Sequence, residues 1–203
     1  MTNKYHIKSW CRITNKTIIC DDKLILQRNQ DENISDFLKN IYRKSEANYP
    51  KFFKMDLLCK AAFVAAELIS KKEDLFETNT ALLLSNRSSS WVSDEKHAQS
   101  IYGKESTPSP AVFVYTLPNI TLGEISIRHG LLSENLFLIF DKFSPEYLVP
   151  YSEQLLNENN AEKVLAGWVE VEENRVDVLI YLIDKEGDTN HTIENVTNLY
   201  LKK

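Results

Sequence analysis

Pro118-Asn119-Ile120-Thr121-Leu122-Gly123-Glu124-Ile125-Ser126-Ile127-Arg128-His129-Gly130-Leu131 is the stretch around which the rest of the chain can be ordered. Proline is tolerated in a first helical turn, so Pro118 is placed to open a helix carrying Gly123 to His129. Just upstream, Pro108 and Pro110 precede an apolar segment over residues 111–115. Just downstream, residues 136–140 read as an apolar strand. Ser144-Pro145-Glu146 then reads as a helix start, with serine as cap and proline at the first position. Pro150 falls inside that helix and is expected to kink or divide it.

Working outward, Ala81-Leu82-Leu83-Leu84 is bounded by Asn79 and by Asn86-Arg87-Ser88-Ser89-Ser90. A short apolar run between turn formers is the pattern of a central strand covered on both faces. The polar segment from there to Ser106 is expected to hold some helix over residues 94–101. Its length fits a functional loop or partner surface, and fits a plain surface insertion equally well. Residues 5–19 are rich in β-branched and aromatic side chains and are divided at Asn15-Lys16 into a hairpin or two short strands. Ile34, Phe37, Leu38, Ile41 and Tyr42 recur at helical spacing behind Asn33, a candidate N-cap. A second helix is expected over residues 52–69, where Ala61, Ala62, Ala65 and Ala66 suit close packing on a sheet. Residues 163–172 and 175–184 read as strands joined at Glu173-Asn174. Residues 188–195 read as a loop, and residues 196–201 as a final short element.

Strands interleaved with helices and closing on a hairpin indicate an α/β layered fold with a mixed sheet. At 203 residues, 43% hydrophobic and 26% charged, the chain can bury a substantial core as one domain over residues 1–203. Cys11, Cys20 and Cys59 are odd in number and lack paired ligand spacing, so they are expected to be reduced and buried, with no metal and no cofactor. A net charge of −5 and a pI near 5.5 argue against a nucleic-acid partner, because phosphate binding is driven by clustered Lys and Arg. Lys51, Lys54, Lys60, Lys71 and Lys72 lie around one predicted helix and are expected on its solvated face. Met1-Thr2-Asn3-Lys4-Tyr5-His6-Ile7 lacks the apolar core of a secretory signal, and no apolar run approaches bilayer length. A cytoplasmic location without a membrane span is the expectation.

The stretch from Thr107 to Gly130 resembles the β-ketoacyl synthase (thiolase-like) family, in which a proline-containing loop leads into an Asn-x-x-x-Gly helix and an Ile-x-Gly-Leu exit. Asn119, Gly123, Ile127, Gly130 and Leu131 occupy those places. Ala166-Gly167-Trp168-Val169-Glu170 is similar to the family's Ala-Gly-Gly-Val-Glu strand, with Trp168 in place of the second glycine. Lys54-Met55-Asp56 before the alanine-rich helix and residues 82–90 fit the family's second strand and its flanking helix and turn. The resemblance covers residues 1–184, the family's N-terminal half. It implies a thiolase-like half-fold, a five-stranded mixed sheet with helices on both faces, whose third strand pairs across a two-fold axis. The equivalent segment here, residues 135–140, is an apolar candidate edge.

The resemblance also implies what is missing. The family's nucleophile is a cysteine on the turn between the third strand and a buried helix, where a helix N-terminus activates the thiol. Counted from His129-Gly130-Leu131 or from Ala166-Gly167, that position falls on Lys142, flanked by Asp141 and Phe143. The family's two catalytic histidines come from a second half that this chain does not match, and His6, His97, His129 and His191 do not replace them. No catalytic residue is therefore assigned. Lys142 would serve as a catalytic amine only if buried at the helix N-terminus; the plainer reading is an exposed lysine or one paired with Asp141 or Glu146. Glu170, Glu172 and Glu173 read as a strand and turn beside solvent. No Gly-x-Ser-x-Gly elbow, Walker loop, dinucleotide fingerprint or His-Glu-x-x-His occurs.

Two functions follow from the resemblance. In the first, the chain is a degenerate ketosynthase-like subunit that binds or scaffolds in fatty-acid-like or polyketide-like biosynthesis. It would act as a homodimer or as a heterodimer with an intact ketosynthase, with acyl carrier protein as a further partner. In the second, it is an acyltransferase of the 3-oxoacyl-ACP synthase type, active only as a composite with a partner chain. A third, structural reading has the half-fold pair with itself and offer a pocket to an acyl chain.

Overall fold

The computed structural model describes residues 4–73, 79–103 and 107–202. The first three residues of the N-terminal reading, and residues 104–106 of the polar excursion, lie outside the described residues.

β1 (His6–Ile13) and β2 (Thr17–Cys20) form the expected hairpin. The Thr14 hydroxyl organises its turn by accepting from the amides of Lys16 and Thr17. A third strand, β3 (Lys23–Gln27), then adds to β2. Its turn places Asp21 and Asp22 in the left-handed region, at φ 46° and 61°, a conformation that aspartate tolerates better than most residues. The Asp21 carboxylate holds the turn by accepting from Ser9 Oγ at 2.9 Å, the Trp10 amide at 2.7 Å and Lys72 Nζ at 2.6 Å.

α1 (Ile34–Lys44) buries the five residues expected, behind an Asn33 side chain that accepts from the Asp36 amide at 2.8 Å. The helix expected over residues 52–69 is broken in two. A 3-10 turn over Pro50–Lys54 gives way at Met55 to extended backbone, and Asp56 restarts the chain as α2 (Leu57–Ser70) by capping the Cys59 amide at 2.8 Å. α2 is buried nearly all round, as its alanines require. Lys60 on this helix is only 7% exposed, which corrects its placement on a solvated face. Its ammonium lies 6.0 Å from the centre of the Phe52 ring, and burial pushes its pKa down.

The remaining elements are β4 (Thr80–Asn86), α3 (Trp91–Tyr102), α4 (Pro110–Val114), α5 (Ile120–His129), β5 (Asn135–Ile139), α6 (Pro145–Asn157), β6 (Lys163–Glu172), β7 (Arg175–Asp184), β8 (Thr189–Asn190) and α7 (Ile193–Leu201). The expected loop over residues 188–195 thus holds a short strand and the start of a helix, which Thr192 caps by accepting from the Asn195 amide. α6 runs unbroken through Pro150. Pro150 lies on the exposed side of the helix, where water can satisfy the carbonyl that loses its amide partner.

Among the described residues the sheet has eight strands, not five, in the order β3-β2-β1-β7-β6-β4-β5, with β8 also on β1. The run β1-β7-β6-β4-β5 supplies the five expected strands. β2 and β8 both join the outer edge of β1, and β3 extends the sheet beyond β2. β4 pairs in parallel with both β6 and β5, and the β6–β7 hairpin is antiparallel.

Alternation along the strands sorts the core into two layers. Leu82, Leu84, Leu165, Ile180 and Leu182 face α1, α2 and α5. Ala81, Leu83, Val164, Ala166, Tyr181 and Ile183 face α6 and α7. The helices therefore lie on both faces of a mixed sheet. α2 and α5 are joined by a buried ionic cluster: Glu67 receives Arg128 Nε at 2.7 Å and Nη2 at 3.1 Å, and lies 3.1 Å from His129 Nε2.

Candidate functional site

The C-terminal ends of the parallel strands β4, β5 and β6 converge, and ligand sites of open α/β sheets favour that end. Asn86 lies opposite Ile139, and Ser85 opposite Trp168. Beyond β4 the chain makes a tight serine turn. The Asn86 side chain closes it by donating to the Ser89 carbonyl at 2.8 Å and accepting from the Ser89 amide at 3.0 Å, with Ser89 at φ 53°.

Glu170 completes this turn. Its carboxylate accepts from the Arg87 amide at 2.7 Å, the Ser88 amide at 3.3 Å and the Ser88 hydroxyl. It is 4% exposed, so its placement beside solvent was wrong. Two backbone amides leaving a parallel strand need an acceptor, and Glu170 on the neighbouring strand supplies it. Glu172 is instead tied to Arg87 Nη2 at 2.8 Å, and Glu173 is exposed. With Glu170 engaged by donors and Glu172 in an ion pair, the three carboxylates make no acid/base dyad. A cleft of about 540 Å³ opens beside them, between Arg87, Trp91, Lys96 and Glu172.

The turn between β5 and α6 carries Asp141, Lys142, Phe143 and Ser144. Asp141 and Lys142 are exposed. The buried amine that nucleophilic chemistry would need is absent from this position. Pro145 opens α6 as expected. Ser144 occupies the cap position, but its hydroxyl donates to the Lys142 carbonyl at 2.9 Å instead of capping an amide. Beneath the turn, Phe143 stacks on Tyr200 at 4.3 Å and meets the indole of Trp168 edge-on at 6.2 Å. Trp168 is 3% exposed, so this large side chain serves as packing for the turn.

The cysteines lie elsewhere. Cys11 on β1, Cys20 on β2 and Cys59 on α2 are free and buried, and all belong to the core on the α1–α2 face, across the sheet from α6. Burial pushes all three thiols up, Cys20 to about 12 with the Asp21 carboxylate adding to the effect. A thiolate is needed for attack. The three thiols are therefore expected to stay silent toward a disulfide reagent at neutral pH in the folded chain and to react together in denaturant; a stoichiometric fast reaction of one native thiol would reopen the search for a nucleophile.

The histidines are packing groups. His129 sits 2% exposed beside Glu67. His191 is 1% exposed, 5.8 Å from the Tyr181 ring, and burial lowers its pKa to about 4. His97 packs on Phe113 at 5.3 Å, and His6 lies at the start of β1. Among the described residues no group of three or more His, Cys, Asp or Glu side chains is placed to hold a metal, and no helix is long and apolar enough to cross a membrane.

A groove of about 580 Å³ runs along α5 and the turn that leads from it to Asn135, the first residue of β5. Among the described residues β5 ends the sheet, with strand pairing on one side only. Ile127 and Leu132 line the groove at 67% and 98% exposure. Gly123 opens onto it too: a Cβ built there meets nothing within 4 Å.

No protein-family model matches the chain, and no curated protein matches it significantly. Solved structures do. The ishigamide ketosynthase/chain length factor superimposes with a TM-score of 0.65 at 14% identity, over 89% of this chain and 62% of that one. The fold is that of the ketosynthases. A chain from the complex of ketosynthase ApeO with its chain length factor ApeC, from Xenorhabdus doucetiae, gives 0.61 at 12% identity over 97% of this chain and 90% of that one. A chain of AntDE:AntF, a type II PKS acyl-carrier protein in complex with its ketosynthase, gives 0.63 at 11% identity over 90% of this chain and 62% of that one. The chain thus spans about three fifths of the first and third of these ketosynthase-fold chains and nearly all of the second.

Proposed function

We propose that this chain is a catalytically degenerate ketosynthase-like subunit, one domain that binds or scaffolds in fatty-acid-like or polyketide-like biosynthesis. One observation carries the reading: the turn between β5 and α6 offers Asp141, Lys142, Phe143 and Ser144, while every thiol is buried across the sheet. A fold of this kind without a thiol at that turn can shape or support a partner's site, yet it lacks the group that would accept an acyl thioester there.

The partner face is the α5–β5 edge. An unpaired strand with exposed apolar neighbours invites another strand, and a mid-helix glycine facing open space costs helix stability unless something packs closely against it. The occupant that fits is the corresponding edge of an intact ketosynthase, in a heterodimer; self-pairing across the same edge is the homodimeric form. The solved ketosynthase–chain length factor complex with a chain of nearly this length supports the heterodimer. Acyl carrier protein would then meet the pair and not this chain alone.

The composite acyltransferase has the surface of α6 against it. The resemblance implies a buried helix at this place, whereas here Glu146, Tyr147, Pro150, Gln154 and Asn157 face solvent. Such a surface suits water better than a second apolar layer.

Incubation with radiolabelled malonyl and acyl carrier thioesters is expected to leave the isolated chain unlabelled. Light scattering is expected to find a complex with the intact synthase. Ile127→Glu should abolish that complex without unfolding the chain, and Gly123→Ala should stabilise the free chain by about 0.5–1 kcal/mol. Covalent label on Lys142 or on any cysteine of the isolated chain would reject the scaffold reading.

A further inference from the structure

A second cleft, of about 420 Å³, lies where the β1–β2 turn meets the start of β7. Its floor is Arg12, a charged side chain only 7% exposed. The guanidinium is fixed on three sides. Nε donates to the Tyr200 carbonyl at 2.8 Å; Nη1 donates to the carbonyls of Val178 at 2.9 Å and Ile13 at 3.1 Å and lies 2.6 Å from Asp177 Oδ1. The Tyr200 ring backs it at 4.7 Å. Nη2 takes part in none of these bonds. Two donors of a planar, rigid fork are thereby left beside the cleft.

The walls and rim are also those of an anion site. Thr14 and Thr17 contribute hydroxyls, 3.0 Å apart, and the Asn15 side chain clamps the turn to β7 by accepting from the Val176 amide at 2.7 Å. Lys16 and Arg175 stand exposed at the rim. Arg28 is drawn to the same turn, its amide donating to the Lys16 carbonyl at 2.8 Å and its Nη1 to the Asn15 carbonyl at 3.0 Å. None of these three cations pairs with a carboxylate among the described residues. The one carboxylate in the cleft, Asp177, is engaged by Arg12 and by the Tyr200 hydroxyl at 2.5 Å. Glu172 in the neighbouring hairpin is engaged by Arg87, which leaves exposed Glu173 as the nearby uncommitted acid. A chain whose net charge is −5 thus concentrates four cations around one neutralised carboxylate.

From the fixed Arg12 guanidinium, the paired threonine hydroxyls and the cationic rim of this cleft, we infer that it binds the phosphate of a small phosphomonoester. The depth matters: a recessed, immobilised guanidinium and hydroxyls on the wall reach a compact tetrahedral anion, whereas an acidic protein surface would meet only the rim. Inorganic phosphate supplies the same head group, and binding is expected to weaken as salt rises because the rim cations are exposed. This site is independent of the partner face on α5 and β5.

Nuclear magnetic resonance titration of the full chain with inorganic phosphate, with glycerol 3-phosphate and with a short polyglutamate peptide separates the possibilities. Both phosphates are expected to shift the Arg12 Nε–H and the amides of Thr14 and Thr17, the phosphomonoester more tightly than the free ion. The double variant Lys16→Ala/Arg175→Ala keeps Arg12 and the fold and should weaken both by about tenfold or more. Thr17→Val provides a second, uncharged test through the lost hydroxyl, because the Thr14 hydroxyl holds the turn. Shifts confined to other residues, unchanged affinity in the double variant, or a response to the polyglutamate peptide alone would each overturn the proposal, the last in favour of a protein-docking patch.

Discussion

Gly167→Ala is expected to lower the unfolding free energy by about 3 kcal/mol or more, and the unfolding temperature by roughly 6–12 °C. A Cβ at this position would lie 2.1 Å from the Leu179 carbonyl oxygen, 2.9 Å from Ile180 Cα and 3.0 Å from the Leu179 carbonyl carbon. All three are backbone atoms of β7, so no side chain can swing aside. Relief requires β6 and β7 to separate at the middle of the sheet, where Gly167 lies opposite Ile180 and its carbonyl also accepts from Ser85 Oγ at 3.0 Å. Thermal or urea denaturation measures the loss. An unchanged midpoint would mean that the hairpin has slack the close approach does not suggest.

Glu67→Ala is expected to cost about 3 kcal/mol, because it strands a buried histidine and a partly buried guanidinium at the α2–α5 contact. Burial works against the Glu67 charge, but hydrogen bonds from His129 and Arg128 outweigh it and hold the carboxyl below its ordinary range. The sign follows from that depression. The ionised carboxylate stabilises the fold above its unfolded value of about 4.3, and the contribution is lost as pH falls through the lower folded value. Wild type should therefore show an acid limb in its denaturation midpoint that Glu67→Gln lacks. Parallel pH profiles for the two proteins would remove the carboxylate from the ionic account of this contact.

The elements that were legible in the sequence have strong, local signals. Ala81-Leu82-Leu83-Leu84 is apolar without interruption because β4 is covered on both faces. The β6–β7 hairpin was legible from two long β-branched runs separated by Glu173-Asn174. β3 escaped because its turn uses two aspartates where glycine or asparagine would have announced a left-handed bend, and because Lys23–Gln27 is exposed or half-buried throughout. The break before α2 did have a signal, an aspartate three residues before Cys59, but the apolar character on both sides of Asp56 masked it. Pro150 misled in the opposite sense, since exposure removes most of the penalty that a buried helical proline incurs.

At the candidate site, the exposure of Lys142 followed from its charge, and the burial of the thiols from their apolar neighbours. The burial of Glu170 did not follow. Its role depends on a backbone turn contributed by β4, about eighty residues away along the chain, and periodicity holds no record of such a pairing. The Arg12 cleft was equally hidden, because its residues come from β1, the β1–β2 turn and the start of β7, and only the folded sheet brings them together.

The wetted outer side of α6 sets a limit on engineering this chain. Grafting an apolar layer onto it would press Glu146, Gln154 and Asn157 into a dry seam, at roughly 1–3 kcal/mol for each polar group left without a partner. That helix would have to be repainted with aliphatic side chains before any such graft could close.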